Sequence, residues 1–510
     1  MDHALTLPLR DGENWWGLAT KTGHAMPFAP GFALDLRGDC HSNQAAPLLL
    51  SDRGRWVWSE TPFRAEFRPA AVSLTGAGPF AQDVAPEPTL AGAYRAAAAR
   101  FFPPGGRLCD PLLFTAPQYN TWIELGYEQT QAGILRYAED IVAHGFPPGV
   151  LMIDDGWMRA YGDWHFRADR FPDPAAMVRR LHALGFKVML WLIPFVSADS
   201  AVFRDLWKRG GLVRQPADGN PVVRWWWNGQ SAVVDVTGGA GREWFAGELR
   251  RLHAELGIDG FKLDGGDTQF FRADDLTAAG ATPNGHTAAF ATLGLEWPLN
   301  EFRACWRQGG LPLAQRLCDK NHSWDEKGMG ALVPHAIAAG LLGHPFVCPD
   351  MIGGGEIFQF HTQRDRLDPE LFVRHAQCSA LMPMMQFSAA PWRVLDARHR
   401  DLCLAAARLH AAWGERLLAL ARAAAEDGEP IVRALAYVFP EGGYATVRDQ
   451  FMLGDAVMVA PVVTKDARRR DVHIPPGRWR DDRGVEHAGP AVATLDAPLD
   501  RLPHFERLEA

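Results

Sequence analysis

From about residue 110 to about residue 425, short apolar runs alternate with amphipathic segments of helical spacing. Among these runs are VLMIDD, FKVMLWLIPF and DGFKLD, and between them lie AAMVRRLHALG and REWFAGELRRLHAELG. Repeated strand–helix units predict a parallel sheet covered by helices, and their number favours an α/β fold of the (β/α)8 TIM barrel type over residues 109–428. Seven strands can be placed, counting one near residues 117–122 and the runs LPLAQRL, HPFVCPD and LMPMMQF, but the eighth cannot.

The segments on either side of this region have a different pattern. Residues 1–108 contain short apolar runs interrupted by Gly, Pro and Asp, which predicts an N-terminal β-sandwich, and residues 429–510 return to short strands and turns, which predicts a C-terminal one. Within the barrel region, residues 199–245 and 268–310 are expected to be inserted loops around a site. Residues 396–427 are rich in Ala, Leu and Arg and predict a helix that closes the barrel.

Composition narrows the class of protein. The net charge is −8 and no basic face is evident, so neither nucleic acid nor an anionic membrane surface is an expected partner. Seven cysteines without CxxC spacing predict reduced, mostly buried thiols rather than a disulfide framework or a zinc site. No secretory signal and no run of about 18 apolar residues is visible, so we expect a cytoplasmic protein. Association into homo-oligomers stays open.

The most informative run is IDGFKLDGGD at residues 258–267. Residues two apart in a strand face the same way, so Lys262 and Asp264 should project together. A cation beside Asp264 keeps its carboxylate ionised at neutral pH, as a nucleophile or a metal ligand requires. The other interpretation is that Asp264 caps the next helix. Gly265 and Gly266 are expected to leave space beside it.

Asp267 follows Asp264 in the same run, and other predicted strands also end in carboxylates, namely Asp154, Asp155, Asp319 and Asp350. Like charges gathered at one barrel mouth raise each other's pKa, so a purely structural role is disfavoured. Metal-assisted catalysis and glycoside hydrolysis both use such clusters. Cationic side chains would compete with a bound metal ion, whereas sugar-binding sites use cationic side chains and aromatic walls. Lys262, Arg316 and the run Trp225-Trp226-Trp227-Asn228 therefore favour a glycosidase, with no metal and no cofactor.

These segments resemble glycoside hydrolase family 31, a family of retaining α-glycosidases, from PLLLSDRGRWVW near the N-terminus to DQFMLGDAVMVAPVV and IPPGRWRDD near the C-terminus. By this resemblance, GIDGFKLDGGD implies that Asp264 is the nucleophile. MIDDGWMRAYGDWHF implies that Asp154 and Asp155 contact the sugar, and Lys262 is expected to contact it too. GHPFVCPDMIGGG implies that Asp350 binds substrate.

The acid/base residue is harder to assign. The family's acid/base aspartate precedes a tryptophan by five residues, which Asp319 and Trp324 satisfy; Trp324 is also expected at the substrate. Asp325, directly after the tryptophan, is the alternative, or else it begins a solvated helix with Glu326. Asp267 occupies a position where the family usually has glutamate.

Family α-glucosidases carry an Arg-Asn-His sequence near the last barrel strand, where this chain has Gln386-Phe387-Ser388. The resemblance is closest to a subgroup of α-galactosidases, in which Trp227 and Arg316 match positions that line the sugar site. It therefore implies an exo-α-glycosidase acting on glycosides or oligosaccharides with a terminal α-galactose. An α-glucosidase, α-xylosidase or sulfoquinovosidase is the alternative within the family.

Double displacement would require the carboxyl groups of Asp264 and Asp319 to lie roughly 5–5.5 Å apart. The pKa of Asp319 should be raised, chiefly by the nearby carboxylate, although Arg316 and Lys320 would oppose this. A non-catalytic carbohydrate-binding protein and a metal-dependent barrel enzyme remain the alternatives from other classes.

Overall fold

A closed parallel barrel lies at the centre of the computed structural model, which describes residues 2–38, 43–362 and 367–508. Its strands are β1 (Gln118–Asn120), β2 (Val150–Ile153), β3 (Lys187–Leu192), β4 (Gly260–Leu263), β5 (Asn300–Phe302), β6 (Gln315–Arg316), β7 (Val347–Cys348 and Met351–Ile352) and β8 (Gln386–Phe387). Each strand pairs in parallel with the next, and the two parts of β7 lie at opposite ends of the sheet, so the ring closes through β7. The predicted TIM barrel is confirmed, and β5 is the strand that sequence alone could not place.

The strands β2 and β4 are buried on both faces, which explains why their sequences are mostly apolar rather than alternating. Every residue of β2 and of β4 is buried. A helix that ends at Gly257, with φ of 73°, turns the chain into β4. A Cβ on Gly260 would lie 2.0 Å from the carbonyl oxygen of Leu299, so the close approach of β4 to the chain entering β5 requires glycine.

Helices surround the barrel and cap its ends. Their bounds are Leu112–Thr115, Trp122–Leu125, Gln131–Ala143, Pro174–Ala183, Ala201–Arg209, Gly239–Leu256, Pro283–Leu293, Leu332–Leu341, Ile357–Thr362, Pro369–Ala380, Pro391–Val394 and Ala397–Asp427. The last follows β8, as predicted for the closing helix. None of the helices in the described ranges is long and apolar enough to cross a membrane.

The two segments expected to be inserted loops contain regular structure. Residues 199–245 include a helix and a hairpin, Val223–Trp226 paired with Gly229–Val233, which pairs further with Phe195–Ser197. Outside these two segments, a smaller hairpin after β2 joins Met158–Ala160 to Asp163–Phe166. Residues 268–310 contain Pro283–Leu293 and β5 itself. The loop prediction for 268–310 was therefore wrong at β5, because this three-residue strand includes buried Asn300 and Glu301 and has no apolar run.

Antiparallel sheets flank the barrel on both sides. The N-terminal part forms one sheet of His3–Pro8, Ala71–Gly76, Phe63–Arg68 and Ala33–Asp35, and a second of Trp15–Ala19, Gln44–Ser51, Arg55–Ser59 and Phe80–Val84, followed by the helix Leu90–Phe101. Cys305–Trp306, from the barrel region, joins the second sheet by pairing with Gln44 and Ala45. This pairing attaches the N-terminal domain to the barrel directly after β5.

The C-terminal part is a six-stranded antiparallel sheet. Its strands in spatial order are Val432–Arg433, Phe451–Leu453, Val457–Val459, His504–Leu508, Arg469–Asp481 and Glu486–Asp496. Among the described cysteines six are free, and of these only Cys318 is partly exposed; Cys40 lies outside the described residues.

Candidate active site

A cavity of about 160 Å³ lies at the carboxyl ends of the barrel strands. This is the end at which TIM-barrel enzymes bind their substrates. The cavity is lined by Trp122, Tyr127, Asp154, Asp155, Trp191, Trp227, Lys262, Asp264, Arg303, Arg316, Asp319, Met351, Gly355, Glu356, Ile357 and Phe358. Both predicted catalytic residues are in this set, as are Asp154, Asp155, Trp227, Lys262 and Arg316 of the predicted substrate contacts.

Asp264 follows β4 and is held by donors on both of its oxygens. Trp191 Nε1 donates to Oδ2 at 2.7 Å, and the backbone N–H of Gly265 donates to Oδ1 at 2.8 Å. Lys262 Nζ lies 3.9 Å from Oδ2, and Arg303 Nε lies 3.7 Å from Oδ1. Burial alone would raise the pKa of this carboxyl, but Lys262 and Arg303 lower it to about 2. Asp264 is therefore ionised at neutral pH, as a carboxylate nucleophile must be.

Gly265 and Gly266 serve the turn after Asp264 and its packing. Their φ angles are 63° and 72°, in the left-handed region. A Cβ on Gly266 would lie 2.4 Å from the ring of Phe290, and one on Gly265 would lie 2.8 Å from Ile193. Neither glycine lines the cavity. The expectation that they leave space for the sugar is corrected: backbone conformation and close packing require them.

Lys262 connects β4 to the end of β2. Its Nζ donates to Asp154 Oδ2 at 2.8 Å, and only 3% of each side chain is exposed. Burial would lower the pKa of Lys262, but the charge of Asp154 raises it, so the ammonium is retained. Asp154 is fixed further because its backbone N–H donates to Thr121 Oγ1 at 2.9 Å. The pair places a fixed cation and a fixed anion on one wall of the cavity.

Asp155 has a different environment from Asp154. Its Oδ2 accepts hydrogen bonds from Asn228 Nδ2 at 2.7 Å and from the Tyr161 hydroxyl at 3.2 Å, whereas its buried Oδ1 has no partner. Burial and then the neighbouring charge of Asp154 raise the pKa of Asp155 to about 7. At neutral pH, Asp155 therefore lies close to the balance between its protonated and its ionised form.

Arg303 is the most important residue that the sequence analysis missed. It follows β5, and its Nε donates to Asp267 Oδ2 at 3.1 Å. Its Nη1 lies 3.7 Å from Asp319 Oδ2, and its guanidinium lies 5.0 Å from the ring centre of Trp227. One cation therefore contacts Asp264, Asp319 and an aromatic wall. The signal that could have identified Arg303 was its position at a strand end, which was hidden because β5 itself was not recognised.

Asp319 follows β6 and does not have the pKa expected of it. Arg316 Nη1 donates to its Oδ1 at 2.6 Å, and a quarter of the Asp319 side chain is exposed. Burial and the charge of Asp264 raise the pKa of Asp319, but Arg316 and Arg303 outweigh them and lower it. The predicted rise is corrected: without a ligand, Asp319 is an ionised partner of Arg316.

Asp350 does not line the cavity, contrary to its predicted role. It is fully buried, and its Oδ2 accepts from the backbone N–H groups of Lys320 at 2.7 Å and Gly355 at 3.1 Å. Its Oδ1 accepts from Arg316 Nη1 at 3.1 Å. Asp350 therefore positions Arg316 and two loops rather than contacting a substrate, and burial raises its pKa to about 6.

Trp324 is also outside the cavity. Its Nε1 donates to Asp368 Oδ2 at 3.0 Å, which directs the indole toward the helix Pro369–Ala380. Asp325 is exposed, and its Oδ1 accepts from the Ser323 hydroxyl at 2.6 Å and from the backbone N–H of Lys327 at 3.0 Å. Trp324 as a substrate contact is corrected, and Asp325 stabilises a local turn, so the geometry favours Asp319 over Asp325 as acid/base.

The loop after β7 contributes lining residues that sequence reasoning did not find. Glu356 and Phe358 line the cavity, and 62% of Phe358 is exposed. Burial and then the charge of Asp319 raise the pKa of Glu356. Trp122 and Tyr127, from the segment after β1, complete an aromatic side of the cavity. An aromatic rim around charged groups is suited to the apolar faces of sugar rings.

The end of β8 contributes no lining residue. Gln386 is buried, and its Nε2 donates to Glu301 Oε2 at 2.7 Å and to Gln118 Oε1 at 3.1 Å. Gln386 therefore belongs to a polar layer inside the barrel. Across the described ranges, no group of three or more His, Cys, Asp or Glu is arranged to hold a metal ion. The carboxylates at this mouth are instead surrounded by Lys262, Arg303 and Arg316.

Comparisons with known proteins agree with this geometry. Residues 116–300 match the glycosyl hydrolases family 31 TIM-barrel domain, and residues 428–510 match the glycosyl hydrolase family 31 C-terminal domain. The chain is 34% identical to mouse myogenesis-regulating glycosidase over 412 residues, which are 79% of this chain and 57% of that protein. It is 27% identical to 1,3-alpha-isomaltosidase of Kribbella flavida over 395 residues, 69% of this chain and 52% of that protein. The chain thus spans little more than half the length of these relatives.

Solved structures share the fold at lower sequence identity. The GH31 dextranase of Flavobacterium johnsoniae complexed with glucose superimposes with a TM-score of 0.87 at 20% identity, over 99% of this chain and 66% of that one. A GH31 alpha-xylosidase from a soil metagenome, complexed with xylose, superimposes with a TM-score of 0.85 at 19% identity, over 100% of this chain and 80% of that one. With the matched domains and the carboxylates at the barrel mouth, these results show that the chain belongs to glycoside hydrolase family 31.

Proposed function

We propose that this chain is a retaining exo-α-glycosidase that hydrolyses terminal α-galactosides, with Asp264 as nucleophile and Asp319 as acid/base. The observation that carries the proposal is the buried, ionised Asp264, which shares one cavity and one cation, Arg303, with Asp319. Two carboxyl groups around one sugar site are the components of double displacement.

In the first step, an oxygen of Asp264 forms a bond to the anomeric carbon while the bond from that carbon to the glycosidic oxygen breaks. Asp319 gives its proton to the departing oxygen. In the second step, Asp319 removes a proton from water as the water oxygen attacks the same carbon and releases Asp264. The fixed charge of Asp264 also stabilises the positive charge that develops on the sugar.

The charges around Asp319 fit both of its roles. Asp264 raises the pKa of Asp319 while it is ionised, and a sugar bound between them would exclude water and raise it further. Once Asp264 is esterified its charge is gone, so Arg316 and Arg303 dominate and the pKa of Asp319 falls. Asp319 is then a carboxylate, the form that a general base requires.

The galactose preference rests on two supports. The first is the resemblance of the segments around Trp227, Asp319 and Asp350 to a subgroup of α-galactosidases. The second is the absence of any lining residue from the end of β8, where the family's α-glucosidases have the histidine of their Arg-Asn-His sequence. The sugar hydroxyls would meet an anion at Asp154 and a cation at Lys262. Asp155 offers them a second carboxyl group.

A panel of p-nitrophenyl α-galactoside, α-glucoside, α-xyloside and α-sulfoquinovoside tests the sugar. We expect the galactoside to have the highest kcat/KM; preference for another member would refute the galactose assignment and leave the mechanism in place. No turnover of any member would favour a carbohydrate-binding protein instead. Activity that chelation abolishes would indicate the metal-dependent alternative.

Variants of the two aspartates test the mechanism. Asp264→Ala should remove most activity, and added azide should restore it with an inverted α-to-β product, because azide takes the empty place of the carboxylate. Asp319→Asn should also remove most activity, whereas the matched control Asp325→Asn, in the same loop but outside the cavity, should retain it. Equal losses in both asparagine variants would contradict the assignment of Asp319.

A further inference from the structure

A second cavity, of about 390 Å³, adjoins the active site, and Asp319 lines both. The loop after β6 supplies Cys318, Lys320 and Lys327 to this cavity. The N-terminal domain supplies Lys21 from its 3-10 turn Thr20–Ala25. This cavity exists only because the N-terminal domain packs against the barrel beside the catalytic loop.

Lys320 is a buried cation without an acidic partner. Only 2% of the residue is exposed, and its Nζ donates to the Cys318 carbonyl oxygen at 2.6 Å and to Cys318 Sγ at 3.1 Å. No carboxylate among the described residues forms an ion pair with it. An ammonium group has three N–H donors, and burying it without an anion is costly. Asp350 acts on Lys320 only from beyond ion-pair distance, so the unused donor of Lys320 favours an anionic ligand in the cavity.

The remaining charges of the cavity also favour an anion. Lys21 and Lys327 are exposed at its rim, against Glu326 as the one acid other than Asp319 among the lining residues. Asp319 is paired with Arg316, 2.6 Å away, a cation that also pairs with Asp350 and Glu301. The cavity therefore presents three lysine ammonium groups to two carboxyl groups, Glu326 at the rim and Asp319 in its pair with Arg316.

We propose that this second cavity binds an anionic group, a carboxylate, sulfate or phosphate ester, on the leaving-group side of the substrate. This inference rests on the proposed function, because it takes Asp319 as the proton donor. A proton donor lies beside the bond that breaks, between the sugar and the leaving group. With the sugar in the first cavity, the leaving group lies beyond Asp319, where Lys320 lines the second cavity.

Alkylation of Cys318 tests the anion site without any need for turnover. Iodoacetamide forms a bond from the Cys318 sulfur to its methylene carbon, releasing iodide and the thiol proton, and peptide mass spectrometry reports Cys318 separately from the other cysteines. Sulfate, phosphate and acetate are compared with chloride at equal ionic strength. At about ten times its dissociation constant, a bound anion should slow alkylation about tenfold. Equal rates with all four anions would overturn the proposal.

Lysine variants locate the effect. Lys320→Gln should abolish protection, and the rim variant Lys21→Gln/Lys327→Gln, which changes only exposed side chains, should weaken it and serves if Lys320→Gln does not fold. Lys208→Gln, on the distant exposed helix Ala201–Arg209, should keep the wild-type protection. Undiminished protection in both cavity variants would place the anion elsewhere and overturn the proposal.

Paired substrates test the leaving-group assignment. For the wild type and for Lys320→Gln, kcat/KM is measured with p-carboxyphenyl α-galactoside and with p-nitrophenyl α-galactoside, and the first value is divided by the second. We expect the ratio to fall about tenfold in the variant. Without Lys320, the carboxylate substrate loses a hydrogen bond to a charged group, and the nitro substrate has no such bond to lose. An unchanged ratio would overturn the leaving-group assignment. Anion protection of Cys318 without hydrolysis of any α-glycoside would instead refute the proposed function while the anion site stands.

Discussion

Asp155 links the protonation of the active site to the stability of the fold. Its pKa of about 7 lies above the ordinary value of 3.8, so the folded protein binds this proton more tightly than the unfolded chain does. Between these values the unfolded chain carries fewer protons at Asp155 than the folded protein, and stability must fall as the pH rises. Linkage with these two pKa values predicts a loss of about 3 kcal/mol between about pH 5 and about pH 8 from this one group.

Asp155→Asn tests this reasoning because asparagine has nearly the same shape and cannot ionise. Urea unfolding, followed by tryptophan fluorescence near pH 5 and near pH 8, measures the change in the free energy of unfolding. We expect the loss between the two pH values to be smaller in Asp155→Asn than in the wild type by about 3 kcal/mol. The control Asp274→Asn removes an exposed carboxylate away from the cavity and should keep the wild-type pH dependence. The same pH dependence in Asp155→Asn and the wild type would refute the reasoning.

Trp191→Phe removes the hydrogen bond that stabilises ionised Asp264, so the pKa of Asp264 should rise and the acid limb of kcat/KM should move to higher pH; an unmoved limb would contradict this. Arg303→Met should lower kcat/KM by about a hundredfold and move the alkaline limb of kcat, which Asp319 sets in the substrate complex, to higher pH, whereas Arg303→Lys should keep that limb near its wild-type position. A lost rate with no shift of the limb in Arg303→Met would assign the arginine to sugar binding alone. Trp324→Phe should leave KM within about twofold and cost about 1 kcal/mol of stability, because its indole binds a helix rather than substrate; a large rise in KM would contradict its placement.

Much of the barrel could be predicted because the strand signal is local. The runs at β2, β3 and β4 are apolar apart from Lys187 and Lys262, since both faces of a barrel strand are largely buried. Alternation of side chains along a strand was enough to place Lys262 and Asp264 together. β5 escaped detection because it is short and includes two polar residues, which become acceptable only once Gln386 and Arg316 surround Glu301 in the barrel interior.

The same limit explains the errors at the site. Asp350 and Trp324 are close in sequence to lining residues, but burial and hydrogen bonds direct them away from the cavity. The pKa of Asp319 depends on Arg303, which is sixteen positions away in the chain and reaches Asp319 from a different strand. The distance in space between two such side chains cannot be read from their separation in the sequence.

The sequence by itself determined seven of the eight barrel strands, the family that the chain resembles and the aspartates that follow several of those strands, because hydrophobic pattern and residue type act over a few positions. Only the tertiary structure decided how the charges pair: Arg303 between Asp264 and Asp319, Arg316 on Asp319, and Lys320 left without an acid beside a second cavity. Coulomb interactions and burial depend on separations in space. Closing the barrel and packing the N-terminal domain on it bring distant parts of the chain to within a few ångströms of one another.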